Sequence, residues 1–116
     1  MDAYDHPRPP AGAITIEHEA PDRTVLCLRG DVDTAVATRF TDSRGRERVV
    51  VDAIDAEGVT FISSSALALM LLCVEASTAA GRHPVLRSSS HPVDRALQLA
   101  GIEGVFPRPA PGAPPI

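Results

Sequence analysis

Between Ala66 and Val74 the chain reads Ala-Leu-Ala-Leu-Met-Leu-Leu-Cys-Val, directly after the three serines Ser63, Ser64 and Ser65. This is its longest apolar run, well under the ~20 residues that a transmembrane helix needs, so no membrane span is expected. A surface helix keeps one face polar. This run has no polar face in its early turns, so the segment is expected to be buried on most sides or to offer part of its surface to a partner. The spacing predicts a helix from Ala66 to about Ala80, with Gly81 at the left-handed stop. A length of 116 residues provides one core for that helix to enter. Hydrophobic residues are 44% of the chain but aromatics only 3%. The interior must therefore be built from Val, Leu, Ile and Ala, which suits helices packed on a sheet.

Eight of the eleven prolines fall in Met1–Pro10 or Pro107–Ile116. Residues 1–12 and 107–116 are accordingly expected to be disordered, proline-rich tails around one domain at 13–106. The spacing Pro7 to Pro10 fits a PxxP ligand, although in such a tail a passive role is the simpler expectation.

Within the domain, Ala13-Ile14-Thr15-Ile16-Glu17-His18 alternates as a half-exposed strand does. Pro21-Asp22 turns it into a second strand, Thr24–Arg29, giving a hairpin. Thr34 is placed to cap a short helix to about Thr41, ended by Ser43–Arg46. Arg48-Val49-Val50-Val51-Asp52-Ala53 is β-branched without alternation, the pattern of a central strand covered by helices on both faces. Asp55–Gly58 reads as a loop leading to Val59–Ile62 and the serines. Pro84–Arg87 reads as a strand and Ser88–Leu99 as a helix, with Pro92 in its first turn and Gly101 beyond its end. The expected architecture is α/β: a mixed, mostly parallel sheet of four to five strands with three or more helices, in the order β-β-α-β-α-β-α. Right-handed crossovers make the strands at 24–29, 48–53 and 85–87 parallel. The loops Gly30–Asp33, Asp52–Ser65 and Ser88–His91 should then gather at one sheet edge, where open α/β sheets keep their sites.

The formal charge is −4, and all eleven basic residues are Arg. They form no basic stripe, so direct nucleic-acid binding is not expected. The tightest group, Arg44, Arg46 and Arg48, reads as a solvated loop. The segment Met1–Pro7 lacks the basic and apolar parts of a secretory signal, pointing to a cytoplasmic location. Cys27 and Cys73, far from any CxxC spacing, are expected to be buried, reduced thiols, with a reactive cysteine as the minor alternative.

On residue type, the three serines are helix caps. Their context adds a second reading. Val49-Val50-Val51-Asp52, followed by Val59-Thr60-Phe61-Ile62-Ser63-Ser64-Ser65-Ala66-Leu67, resembles the central signature of the STAS domain, the family of the bacterial anti-sigma factor antagonists. Leu28-Arg29-Gly30-Asp31-Val32-Asp33 is similar to that family's Gly-Glu-Leu-Asp turn, and Val93–Ile102 to its final helix. The resemblance spans about Ile14 to Phe106 and implies a STAS-like fold. It also implies a partner, an anti-sigma factor with a histidine-kinase-like ATPase domain, which phosphorylates the first serine of an Asp-Ser-Ser/Thr-Gly motif. Ser64 matches that serine and is the phosphorylation candidate, ahead of Ser63 and Ser65. Gly30, Asp31, Asp33, Ser63, Ser64, Ser65, Ala66 and Leu67 are the partner-binding candidates. Here Ser63 stands where the family has Asp, and Ala66 where it commonly has Gly.

Two other readings compete. A serine hydrolase would need a nucleophile elbow and an assignable base, but no Gly-x-Ser-x-Gly is present and His18, His83 and His91 fall in a strand end and two turns. No His or Cys pair has metal-ligand spacing, so no cofactor, metal or catalytic residue is expected. The other reading keeps the fold without the switch: a constitutive binding, scaffold or ligand-sensing module, with Asp33 and Asp52 at the sheet edge facing a partner's basic groups or solvent.

Overall fold

The computed structural model describes residues 11–109. Strands β1 (Ala13–Ala20) and β2 (Arg23–Val32) form the expected hairpin. They are followed by α1 (Thr34–Arg44), β3 (Ala53–Ile62), α2 (Ser64–Ala79), β4 (Val85–Ser89), α3 (His91–Ala100) and a 3-10 turn, Glu103–Val105. The four strands lie in the order β1-β2-β3-β4, with β1 antiparallel to β2 and the other two pairs parallel.

The central strand is not the one the valines predict. Val49, Val50 and Val51 lead into the sheet, and β3 starts at Ala53 and runs straight through the expected loop Asp55–Gly58. Two side-chain effects explain the difference. The Val51 N–H is taken by the buried Ser77 Oγ at 2.8 Å rather than by a neighbouring strand, and that hydroxyl donates in turn to the Cys73 carbonyl at 2.6 Å. Asp55, a poor strand former by type, is satisfied in place by the Glu57 N–H, the Ser88 hydroxyl and Arg87. Gly58 sits opposite Arg29, where an added Cβ would come within 3.3 Å of the Arg29 Cβ. The glycine there serves close strand approach rather than a turn.

The helices do not cover both faces. Core residues from α1 (Val36, Ala37), α2 (Ala66, Leu67, Met70, Cys73, Val74) and α3 (Val93, Leu97) all join one cluster with Leu26, Leu28, Ile54 and Leu86. The opposite face holds only sheet residues: Val25, Cys27 and Ala53, with Val85 against them. A strand order that steps one way through the sheet sends every right-handed crossover past the same side, so one face stays open. That face carries charges instead of a helix. Arg87 donates to both carboxylate oxygens of Glu19, at 2.8 and 2.9 Å, and to Asp55 at 3.1 Å, while Arg29 reaches Glu17 at 3.1 Å. These groups share a polar hollow with Cys27.

Residues at the inner ends of both expected tails contact the domain. Ala11 bridges to Asp31, the Pro107 carbonyl accepts from Leu86 N at 2.7 Å, and Arg108 pairs with Asp94 at 2.8 Å. The remainder of both expected tails, including Pro7–Pro10, lies outside the described residues. Cys27 and Cys73 are buried and unbridged. Among the described residues no helix is long and apolar enough to cross a membrane.

Candidate functional site

The two helices that follow β2 and β3 start side by side. Val32 and Ile62, the last residues of the two strands, are paired in register, and the Ser63 N–H donates to the Val32 carbonyl at 2.9 Å. Asp33 therefore begins α1 close to where Ser63 begins α2. Each is the N-cap of its helix: Asp33 Oδ1 accepts from Val36 N at 2.9 Å, and Ser63 Oγ accepts from Ala66 N at 3.2 Å. The cap of α1 is thus Asp33, one residue before the expected Thr34. Ser63, standing where related signatures carry aspartate, performs the bond an aspartate would make there.

With that bond made by Ser63, the next two serines have no structural duty. Ser64 and Ser65 occupy the first helical positions, are exposed, and have no hydrogen-bond partner among the described residues. Their hydroxyls sit at the positive end of the α2 dipole, where an added anion is stabilised by roughly 0.3–1 kcal/mol. Across the rim, Asp31, Asp33, Thr60 and Phe61 surround a shallow hollow. Phe61 pairs with Asp31 in the ladder and is 51% exposed. The rim therefore combines free hydroxyls, two carboxylates and one open aromatic ring, the mix of apolar anchor and polar surround found at protein-docking surfaces. Among the described residues no group of three or more His, Cys, Asp or Glu side chains could hold a metal ion.

The remaining candidates fall elsewhere. Ala66 is 0% exposed and Leu67 8%, so both face the core and neither side chain is offered to a partner. Gly30 is buried in the β2–β3 ladder with φ 71°, beside the irregularity that re-registers β2 before Asp31. It shapes the rim rather than lining it. Asp52 is at the opposite end of the sheet, where it accepts from Thr24 N at 2.8 Å and from Arg82 at 2.6 Å. Burial raises its pKa, but the Thr24 amide and Arg82 outweigh that and hold the carboxyl below its usual value. The Ser88–His91 loop is also absent from the rim. Ser90 N donates to the Ala56 carbonyl at 3.0 Å, and β3 continues for six residues from Ala56 to Ile62. At ~3.3 Å per residue the loop lies roughly 20 Å short. Two loops meet at the rim instead of the expected three. Sequence reasoning missed the exposure of Phe61; its only signal was a ring at the strand end opposite a glycine turn.

No family model matches the chain, and no curated protein matches it. Solved structures do. The structure of the anti-sigma factor antagonist SpoIIAA in its unphosphorylated form aligns with a TM-score of 0.63 at 20% identity, covering 84% of this chain and 89% of that one. The Bacillus cell fate determinant SpoIIAA in the phosphorylated form aligns with a TM-score of 0.57 at 19% identity, covering 84% and 92%. An anti-sigma factor antagonist from Mycobacterium paratuberculosis aligns with a TM-score of 0.50 at 19% identity, covering 86% of each chain. The protein thus has the STAS-like fold, a four-stranded mixed sheet with three helices in the order β-β-α-β-α-β-α. This is the fold shared by these anti-sigma factor antagonists, as the sequence resemblance implied.

Proposed function

We propose that this protein is an anti-sigma factor antagonist that acts by docking rather than by catalysis, with the rim of Asp31, Asp33, Phe61, Ser64 and Ser65 as its binding surface. The observation that carries the proposal is the free, exposed Ser64 hydroxyl at the first turn of α2, in a fold shared with a protein solved in both phosphorylated and unphosphorylated forms. The partner is a cytoplasmic anti-sigma factor with a histidine-kinase-like ATPase domain, which transfers phosphate to Ser64. A phosphate adds about −1.5 to −2 charges beside the carboxylates of Asp31 and Asp33, and a partner surface matched to the unphosphorylated rim rejects it. The α2 dipole lets the modified chain stay folded while binding is lost.

A second reading, constitutive docking without phosphorylation, is favoured by Ser63 in place of aspartate and Ala66 in place of glycine. Incubation with the partner kinase and ATP, followed by mass spectrometry, should place one phosphate on Ser64. Capture of the partner by wild type and Ser64→Ala but not Ser64→Glu supports the switch, whereas equal capture by all three supports the constitutive module. Failure of wild type to bind any such partner would remove both.

A further inference from the structure

Resting on the docking reading above, we infer that Gly12 is a positioning residue of the rim. Its missing side chain lets the segment before β1 press on the Asp31–Val32 backbone, from which the starts of α1 and α2 both hang. Ala11 bridges to Asp31, and Gly12 follows against the same stretch of β2. A Cβ on Gly12 would lie 1.9 Å from the Asp31 carbonyl oxygen, 2.5 Å from its carbon and 3.1 Å from the Val32 nitrogen. All three are backbone atoms, so no side-chain rotation relieves the contact. A methyl group there forces the two segments about 1 Å or more apart. Other glycines are not so confined. The nearest atom to a Cβ lies at 3.3 Å for Gly58, and nothing lies within 4 Å for Gly104.

The backbone that Gly12 touches holds every part of the rim. The Asp31 carbonyl accepts from the Asp33 N–H at 3.1 Å, which ties down the cap residue of α1. The Val32 carbonyl accepts from the Ser63 N–H at 2.9 Å, which ties down the cap residue of α2. Asp31 is also the ladder partner of Phe61. Regular pairing does not fix this stretch from the other side. The β1–β2 ladder begins at Ala13 opposite Arg29, two residues short of Asp31, and the β2–β3 register shifts between Gly30 and Asp31. Such an irregularity re-aims the strand that carries it. Ala11 and Gly12 therefore supply the flank that the ladder leaves out, and the close approach sets where Asp31 and Val32 stop. Docking surfaces are packed as closely as protein interiors, so a displacement of about 1 Å here disturbs several partner contacts at once.

Backbone NMR and partner capture on the full chain carrying Gly12→Ala test this. The amides of Asp31, Asp33, Phe61, Ser63 and Ser64 should move, while those of Leu26, Ile54 and Leu86 in the core should not. Affinity for the anti-sigma factor should fall about tenfold or more. Two controls separate positioning from lost stability. Gly104→Ala, the same change in open space, should alter neither readout. Ser77→Ala removes a buried bond thirteen residues along α2 from Ser64, roughly 20 Å away, and should lower stability while leaving rim amides and affinity as in wild type. Shifts confined to residues 11–14 would mean that the segment peels off and the rim stays put, which overturns the inference. So would core amides that move as far as the rim's, loss of folding by circular dichroism, moved rim amides with unchanged affinity, or an equal loss of affinity in Ser77→Ala. If wild type captures no partner, the docking reading falls, and the amide pattern alone decides whether Gly12 sets the rim.

Discussion

Adjacent serines at the start of α2 have opposite expected sensitivities, and the contrast can be worked out from their bonds. Ser63 Oγ accepts from Ala66 N at 3.2 Å, the long end of an ordinary N–H···O bond, so Ser63→Ala should cost about 1 kcal/mol within the roughly 0.5–2 kcal/mol range of lost caps. For a domain of this size that is a fall in Tm of roughly 4–8 °C. Ser64 is exposed and bonds to nothing among the described residues, so Ser64→Ala should stay within about 0.5 kcal/mol of wild type. Ser63→Asp, which restores a carboxylate at the cap, should retain wild-type stability, since aspartate and serine cap about equally well. Thermal unfolding by circular dichroism, with urea denaturation as a check, measures all three. The partner-capture assay should rank the variants the other way, with Ser63→Ala binding once folded and Ser64→Glu failing while folded. If Ser64→Ala were as destabilising as Ser63→Ala, the Ser64 hydroxyl would be part of the scaffold and the division of labour between the serines would be wrong.

Three further outcomes are expected. Ser77→Ala strands the buried Val51 N–H and should cost about 1–3 kcal/mol, seen as a lower urea midpoint at unchanged slope; an unmoved midpoint would mean that water replaces the hydroxyl. On the open sheet face, the Arg87 hydrogen bond lowers the Glu19 pKa; for Asp55, burial raises it but the Glu57 amide, Ser88 and Arg87 outweigh burial and lower it. Because these folded values lie below the unfolded ones, the stabilisation is present above about pH 4 and is lost as pH falls through the folded values. Arg87→Ala should flatten that acid limb in stability measured against pH, and an unchanged acid limb would refute the linkage. Burial, then Glu17, pushes the Cys27 thiol up to about 12, and burial pushes Cys73 up to about 11. Labelling by a disulfide reagent at about pH 8 should therefore wait for unfolding, and fast labelling of the native chain would contradict the burial.

Local pattern alone was enough for the element order, the hairpin at Pro21-Asp22 and the helix behind the serines. Alternation in Ala13–His18, the apolar run Ala66–Val74 and the glycines at 45, 81 and 101 act over a few residues, where backbone preference decides. The serines could be placed at a helix start for the same reason. What each serine does could not, because that depends on which hydroxyl the first turn consumes as its cap. The central strand was misplaced because Val49–Val51 look like a strand by residue type, while Ser77, twenty-six residues on, takes the Val51 amide. The polar stretch Asp55–Gly58 looks like a loop until Arg87, Ser88 and Arg29 arrive beside it. Register settled the rest. The extra length of β3 carries Ser63 and Phe61 well past the Ser88–His91 loop and leaves Asp52 at the far end of the sheet. Strand register is a property of pairs of segments, so only the assembled sheet could decide which loops share a rim.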